Sequence, residues 1–415
     1  MMRITSRHGW AVLVPVFVLC GMSLLTMQAL FSPEPTRVPA GAVIKQVGFL
    51  LVGLGMAWLT LKVSYVRLGR FAYAFFIFCV LLLLLLQVGK YTELSFVPYR
   101  KGAHRWVEIG SIQLQPSELM KIVYVLALAW YLKFRKNYRT FAGLAAPFIL
   151  TLLPMSLILV QPDLGTVLLF LPVLFAMLFA AGAKGKHLLL IIVLGTLSLP
   201  MFWLHIRDYQ RLRLVGMVLQ SQQLRAYFDE HPEKWQWFCP PKTKPAAWQN
   251  ELRQWEVQAG YQLVHGKAAI GSGGVTGQGW GGPFVEYELL LPERENDFVF
   301  AIVAHQWGLI GGIVLLLCYA AIVAIGMDIA TITKDPFGRL VAVGITTLMG
   351  VQTLVNLCMT VGIGPITGVT LPFVSKGGSS LVACFVCIGL LISVAERRPI
   401  SMAKSPFVFD EDAEG

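Results

Sequence analysis

The sequence predicts an all-α polytopic membrane protein of about ten transmembrane helices, with both termini cytoplasmic and a large extracytoplasmic loop between spans seven and eight. Three observations carry this reading. Hydrophobic residues make up 56% of the 415 residues and charged residues only 14%, against about 45–50% and about 25% in a soluble protein. Apolar runs of about 18 residues or more recur from end to end, the signature of membrane-spanning helices. The runs are continuous rather than alternating, which disfavours a transmembrane β-barrel.

The spans follow in order. Trp10–Phe31 is too long for a cleaved leader and no small-residue cleavage site follows it, so it reads as a retained helix. Val43–Lys62, Phe71–Gly89, Ser117–Phe134, Gly143–Val160, Leu164–Gly182 and His187–His205 come next. Phe298–Met327, Leu340–Val361 and Ser380–Val394 complete the set. Residues 1–400 then form one transmembrane domain, including the loop 206–297, and 401–415 an acidic, disordered cytoplasmic tail.

Charge sets the orientation. Arg3 and Arg7 precede span one, Arg67 and Arg70 follow span two, and Lys133, Arg135, Lys136 and Arg139 follow span four. Lys184 and Lys186, then Lys334 and Arg339, then Arg397, Arg398 and Lys404 fall on the same side, which the positive-inside rule makes cytoplasmic. The net charge of +11 is largely this signal, plus contact with anionic membrane lipid. Nucleic acid is disfavoured as a partner, because the basic residues are spread over short loops. Six of the seven cysteines lie in spans, leaving only Cys239 outside, so no disulfide framework exists. Cys384 and Cys387 have CxxC spacing but sit in an apolar helix and read as core.

The outer face carries most of the polar information: Lys90–Pro116, the turn "QPDLGT", the loop 206–297 and the turn "VGIGPITGVTLPFVSKGGSS". A chemical site is therefore expected there. Glu118 and Lys121 are three apart on one helical face and can pair, either bracing two helices or serving the site. Asp163 either caps span six or faces the outer cavity. Lys101, His104 and Arg105 beside Trp106 suit an anionic headgroup. The loop 220–256 is polar and tryptophan-rich, with a short helix expected over Ala246–Val257. From Gly260 it turns glycine-rich, as a ligand-hugging loop or as a flexible connector. Asp297, at the head of span eight, has three readings: a helix cap, a partner for Arg294, or a general base whose pKa is raised by burial at the membrane lip.

The stretches "HRWVEIGSIQLQPSELMK", "QPDLGT", "GYQLVHGKAAIGSGGVTGQGW", "LPERENDFVFAIVA" and "GPITGVTLPFVSKGGSS" occur in this order in the SEDS family (shape, elongation, division and sporulation; the RodA/FtsW/SpoVE group). The chain resembles that family from span one to span ten, and "KAAIGSGGVTGQGW" is more similar to the RodA branch. The resemblance implies a ten-helix fold in the bacterial cytoplasmic membrane. It also implies a peptidoglycan glycosyltransferase that polymerises lipid II on the outer face alongside a class B penicillin-binding protein. It carries a catalytic role onto Asp297 and functional sensitivity onto Trp106, Glu118, Lys121 and Asp163, and Ser375 matches the serine of the last turn. Two departures stand out: His305 and Gln306 where the family reads "AEE", and Lys376 where it reads tyrosine. His305 and Lys376 either retune phosphate binding or mark a divergent member.

The implied chemistry is a one-step inversion, an α-linked donor giving a β-1,4 chain. Asp297 would take the proton of the acceptor's 4-hydroxyl as that oxygen attacks the donor's anomeric carbon, and undecaprenyl pyrophosphate would leave. Lys101, Arg105, Arg211 and Lys376 are the candidates to neutralise the pyrophosphate. A divalent cation, Mg or Mn, would help, but no cluster of dedicated ligands is legible and no cofactor is assigned. Two alternatives stand beside this: a lipid II flippase with Glu118, Lys121 and Asp163 as gating charges, and a non-catalytic scaffold for the penicillin-binding protein.

Overall fold

The computed structural model describes residues 9–29, 40–92, 94, 96–99, 103–110, 112–135, 137–203, 211, 214–216, 220–231, 260–279 and 296–397. Its helices are α1 (Leu13–Ala29), α2 (Ala40–Lys62), α3 (Tyr65–Arg70), α4 (Ala72–Thr92), α5 (Pro116–Phe134), α6 (Ala145–Val160), α7 (Leu164–Ala181) and α8 (Gly185–Trp203). After them come α9 (Gln222–Glu230), α10 (Tyr261–Ser272), α11 (Val299–Ile332), α12 (Pro336–Val361) and α13 (Gly378–Glu396).

Among the described residues eight helices are long and apolar enough to cross a membrane, and each falls on an expected span. The two other expected spans are helical but differ in character. α5 carries Glu118, Lys121 and Lys133, and it packs against α3, α4, α6, α7, α12 and α13 rather than facing lipid on all sides. α8 is apolar over Gly185–Ser198 only. The all-α class holds, with one small β element that the sequence reading did not include. Val107–Ile109 (β1) and Ile112–Leu114 (β2) form an antiparallel hairpin, with Val107 opposite Leu114. Three-residue strands are too short to leave an alternating pattern, so the sequence read this stretch as loop.

Helix ends follow local chemistry. Asp335 accepts from Gly338 N at 2.9 Å and Pro336 opens α12. Gly182 (φ 94°) and Gly362 (φ 86°) end α7 and α12 in the left-handed conformation that glycine adopts without strain. α12 sits at the centre, against α5, α7, α10, α11 and α13. α2 and α13 approach closely: a Cβ at Gly389 would lie 2.7 Å from Ala57 O, the small-residue contact common in membrane bundles.

α11 is discontinuous. Its 34 residues would run about 51 Å as one helix, well beyond a hydrocarbon core of about 30 Å. The backbone breaks at Gly308 (φ 62°, ψ −158°). The turn segment 273–279 lies in the gap and takes up the freed groups. Gln278 N donates to His305 O at 2.9 Å and Gly279 N to Gln306 O at 3.1 Å. In return Leu309 N donates to Gly274 O at 2.9 Å and Ile310 N to Val275 O at 3.2 Å. Broken backbone at membrane depth is viable when buried in protein in this way. Within the glycine-rich stretch, Tyr261–Ser272 is α10 and residues 273–279 form a strap across α11; the glycines at 281 and 282 lie outside the described residues.

Candidate functional site

Asp297 stands at the head of α11, half-buried. It does not occupy the cap position, which belongs to Phe298. Arg294, its other expected partner, lies outside the described residues. The carboxylate lies over the turn between α12 and α13: a Cβ on Gly368 (φ 74°) would come within 3.2 Å of Asp297 Oδ2. A glycine there lets the turn run close beneath the acid.

The turn 367–375 is fastened by side chains. Asn356 Nδ2 donates to Asp297 O at 2.8 Å and to Val369 O at 2.6 Å. Gln352 Nε2 donates to Thr370 O at 2.9 Å. Ser375 Oγ accepts from Leu371 N at 2.7 Å and donates to Asn296 O at 2.6 Å. Thr370 Oγ1 and Ser380 Oγ are 2.9 Å apart. Phe373 is held at φ 64°, a strained position for a non-glycine residue that its burial and the adjoining bonds maintain.

Beneath the turn lies the ion pair expected from spacing. Lys121 Nζ is 2.9 Å from Glu118 Oε1 and also 2.9 Å from Oε2, with both side chains buried. The same ammonium donates to Gln352 Oε1 at 3.0 Å, so the pair reaches the turn through Gln352.

Asp163 takes its capping role. Its Oδ1 accepts from Thr166 N at 3.2 Å and its Oδ2 from Thr166 Oγ1 at 2.9 Å, so the carboxylate satisfies the open start of α7. Ser117 Oγ and Gln115 Nε2 reach Oδ2 at 3.4 Å. The start of α7 also borders the turn, since a Cβ on Gly165 would lie 2.7 Å from Thr367 O. Arg105 is committed in part to the same corner: its Nε donates to Gln161 O at 2.8 Å and its Nη2 to Pro162 O at 2.5 Å. The hairpin is tied in by Ser379, whose Oγ donates to Gln113 O at 2.8 Å and accepts from Gln115 N at 3.2 Å.

The structure therefore gathers Asp297, Ser375, Glu118, Lys121, Asp163 and Arg105 around one turn. Trp106 and Lys376 are half-buried at its margins in sequence, beside Arg105 and Ser375. His305 lies elsewhere: it is buried in the joint between α11 and the strap, with Nδ1 2.7 Å from Ser272 Oγ. Arg211 is fully buried. Lys101, Cys239, the helix expected over Ala246–Val257 and the tail 401–415 lie outside the described residues. No group of three or more metal-ligating side chains occurs among the described residues. Gln352 and Asn356 were not singled out from sequence. The available signal was two amides four apart in an apolar run, placing both on one helix face.

Comparison with known proteins agrees in extent and in fold. The family described as Cell cycle protein (FtsW/RodA/SpoVE) matches residues 8–399. The chain is 32% identical over 351 residues to the probable peptidoglycan glycosyltransferase FtsW of Geobacter metallireducens, covering 84% of this chain and 83% of that protein. It is 30% identical over 386 residues to the peptidoglycan glycosyltransferase MrdB of Escherichia coli K12, covering 92% and 94%. The relatives thus divide between FtsW and MrdB names at nearly equal identity. A chain of a structure described as "Structural coordination of polymerization and crosslinking by a peptidoglycan synthase complex" superposes with a TM-score of 0.72 at 28% identity, over 94% of this chain and 98% of that one. By sequence along nearly its whole length, and by fold, the chain belongs to the FtsW/RodA/SpoVE family of multi-pass membrane proteins.

Proposed function

We propose that the protein is a peptidoglycan glycosyltransferase that polymerises lipid II into β-1,4 glycan on the outer face of the cytoplasmic membrane, beside a cross-linking class B penicillin-binding protein. The observation that carries this reading is the place of Asp297. In a chain whose relatives are named peptidoglycan glycosyltransferases, one half-buried carboxylate stands at the mouth of a membrane bundle, above a turn held by three separate side chains. Asp297 accepts the proton of the acceptor's 4-hydroxyl as the oxygen attacks the anomeric carbon, and the undecaprenyl pyrophosphate departs. A fixed base in a partly dry setting supplies roughly 10²–10⁴ in rate, and holding both lipid-borne substrates at one lip supplies proximity. Arg105 keeps further N–H donors beyond the two spent on backbone, and Lys376 lies on the same turn as Ser375. These two cations are assigned to the leaving pyrophosphate.

The test is polymerisation of labelled lipid II by the purified protein with its penicillin-binding partner, wild type against Asp297→Asn. The wild type is expected to give long strands and a folded Asp297→Asn protein at least about 100-fold less. Equal polymerisation by both would remove Asp297 from the chemistry.

A further inference from the structure

We infer that Gln352 and Asn356, one turn apart on α12, are positioning residues that hold Asp297 over the turn 367–375, and that the buried Glu118–Lys121 pair acts on the site through Gln352. The inference rests on the assignment of Asp297 as the base.

Asn356 is fully buried. Its single amide nitrogen donates both hydrogens to carbonyl oxygens, one on Asp297 and one on Val369, at 2.8 and 2.6 Å. Both neighbours accept only, so the amide orientation is fixed by chemistry. The effect is to join two chain segments 72 residues apart by one rigid side chain, Asp297 on the α11 side and Val369 on the turn. Gln352, one turn earlier, uses both ends of its amide. Nε2 donates to Thr370 O at 2.9 Å, the residue next to Val369, while Oε1 accepts from Lys121 at 3.0 Å. Lys121 in turn is held by Glu118 at 2.9 Å. The chain of contacts runs Glu118, Lys121, Gln352, Thr370, Val369, Asn356, Asp297, with every link but the Thr370–Val369 peptide a hydrogen bond. None of the first six needs to touch substrate. Their common product is the height and tilt of the Asp297 backbone relative to Gly368, and a displacement of about 1 Å at a reacting group costs on the order of 100-fold in rate.

Four variants test this in the lipid II assay with the penicillin-binding partner present: Asn356→Ala, Asn356→Asp, Gln352→Ala and Gln352→Glu, run beside Asp297→Asn. Asn356→Asp keeps the shape and removes the donors; Gln352→Glu keeps the Lys121 contact and removes the donor to Thr370. Each is expected to lower kcat on the order of 100-fold while KM for lipid II stays within about threefold, the pattern of a lost transition-state contribution. The fall in rate on acidification, which reports protonation of the base, is expected to move in the Asn356 variants. A merely structural role would instead lower the yield of folded protein and leave kcat per folded molecule and the pH profile unchanged, and that result overturns the inference. Should the Asn356 variants not fold, Gln352→Glu decides alone, because it retains the buried ion pair. An inactive Asp297→Asn with amide variants at wild-type kcat removes the inference and keeps the base. An active Asp297→Asn removes the base assignment itself.

Discussion

Lys121 and Glu118 sit where charge is expensive, and each neutralises the other at 2.9 Å with little exposure. Removing one partner of a buried pair leaves an uncompensated charge and costs about 3–5 kcal/mol, whereas replacing both with apolar residues of similar volume is often neutral or better. Lys121→Met is therefore expected to lower the detergent unfolding temperature sharply, and Lys121→Met with Glu118→Leu to restore it. Polymerisation is not expected to return in the double variant, because the hydrogen bond to Gln352 Oε1 is still missing. Recovery of both stability and activity would reduce the pair to a helix brace. Asp163 is a milder case: Asp163→Ala removes a cap from α7 and is expected to cost about 1 kcal/mol by thermal unfolding. These carboxylates were legible in sequence because charge in an apolar run is conspicuous, and i,i+3 spacing or a place just before a helix names the partner. Asn356 and Gln352 were not, since neutral amides barely alter an apolar pattern and their partners are backbone carbonyls that no spacing rule identifies.

The broken helix is the element that most departs from its sequence reading. "AHQWGLIGG" continues an apolar span, and a lone glycine in such a run is ordinary. Only the strap 273–279, about 30 residues earlier, makes Gly308 special, because it supplies the hydrogen-bond partners that the break exposes. Gly308 adopts a conformation that side chains resist, and a Cβ there would also press on Gly277 N and Val275 O. Gly308→Ala is accordingly expected to cost at least about 1–3 kcal/mol from backbone strain alone, with the clash added, read as a lower unfolding temperature. Gly271→Ala is the matched control: it lies in α10 with open space at its Cβ, and it should be neutral or slightly stabilising. If the two alanine variants were equally stable, the strap would not be a fixed part of the fold. The hairpin after span three was hidden for a related reason: its register is set by Gly110 and by Ser379 across the bundle, not by its own six strand residues.

At the scale of the whole molecule, hydropathy and charge carried the architecture, because in a membrane the backbone must close its own hydrogen bonds and continuous helices are the solution. What they did not separate was a helix facing lipid from a helix facing protein. α5 has the charge content of a poor span, yet it lies against six other helices, and α12 and α13, which shelter it, are themselves buried on most sides. Among the described residues eight helices qualify by composition; with α5 and α8 as further crossings the expected number is ten. The crossing number has a topological consequence that labelling can read. Ten crossings place Lys186, in the first turn of α8, inside, and Tyr99, between α4 and α5, outside; both are exposed. In a background with Cys239→Ser and Cys358→Ser, the other cysteines being buried, Tyr99→Cys is expected to react with a membrane-impermeant maleimide in intact spheroplasts. Lys186→Cys is expected to react only after permeabilisation. If α5 did not cross, Tyr99 and Lys186 would lie on the same side. The QPDLGT turn would then face away from the hairpin that Arg105 joins to it, which the Arg105 bonds to Gln161 and Pro162 forbid. Labelling of both positions from one side would thus overturn the topology together with the placing of Asp163 and Asp297 on one face.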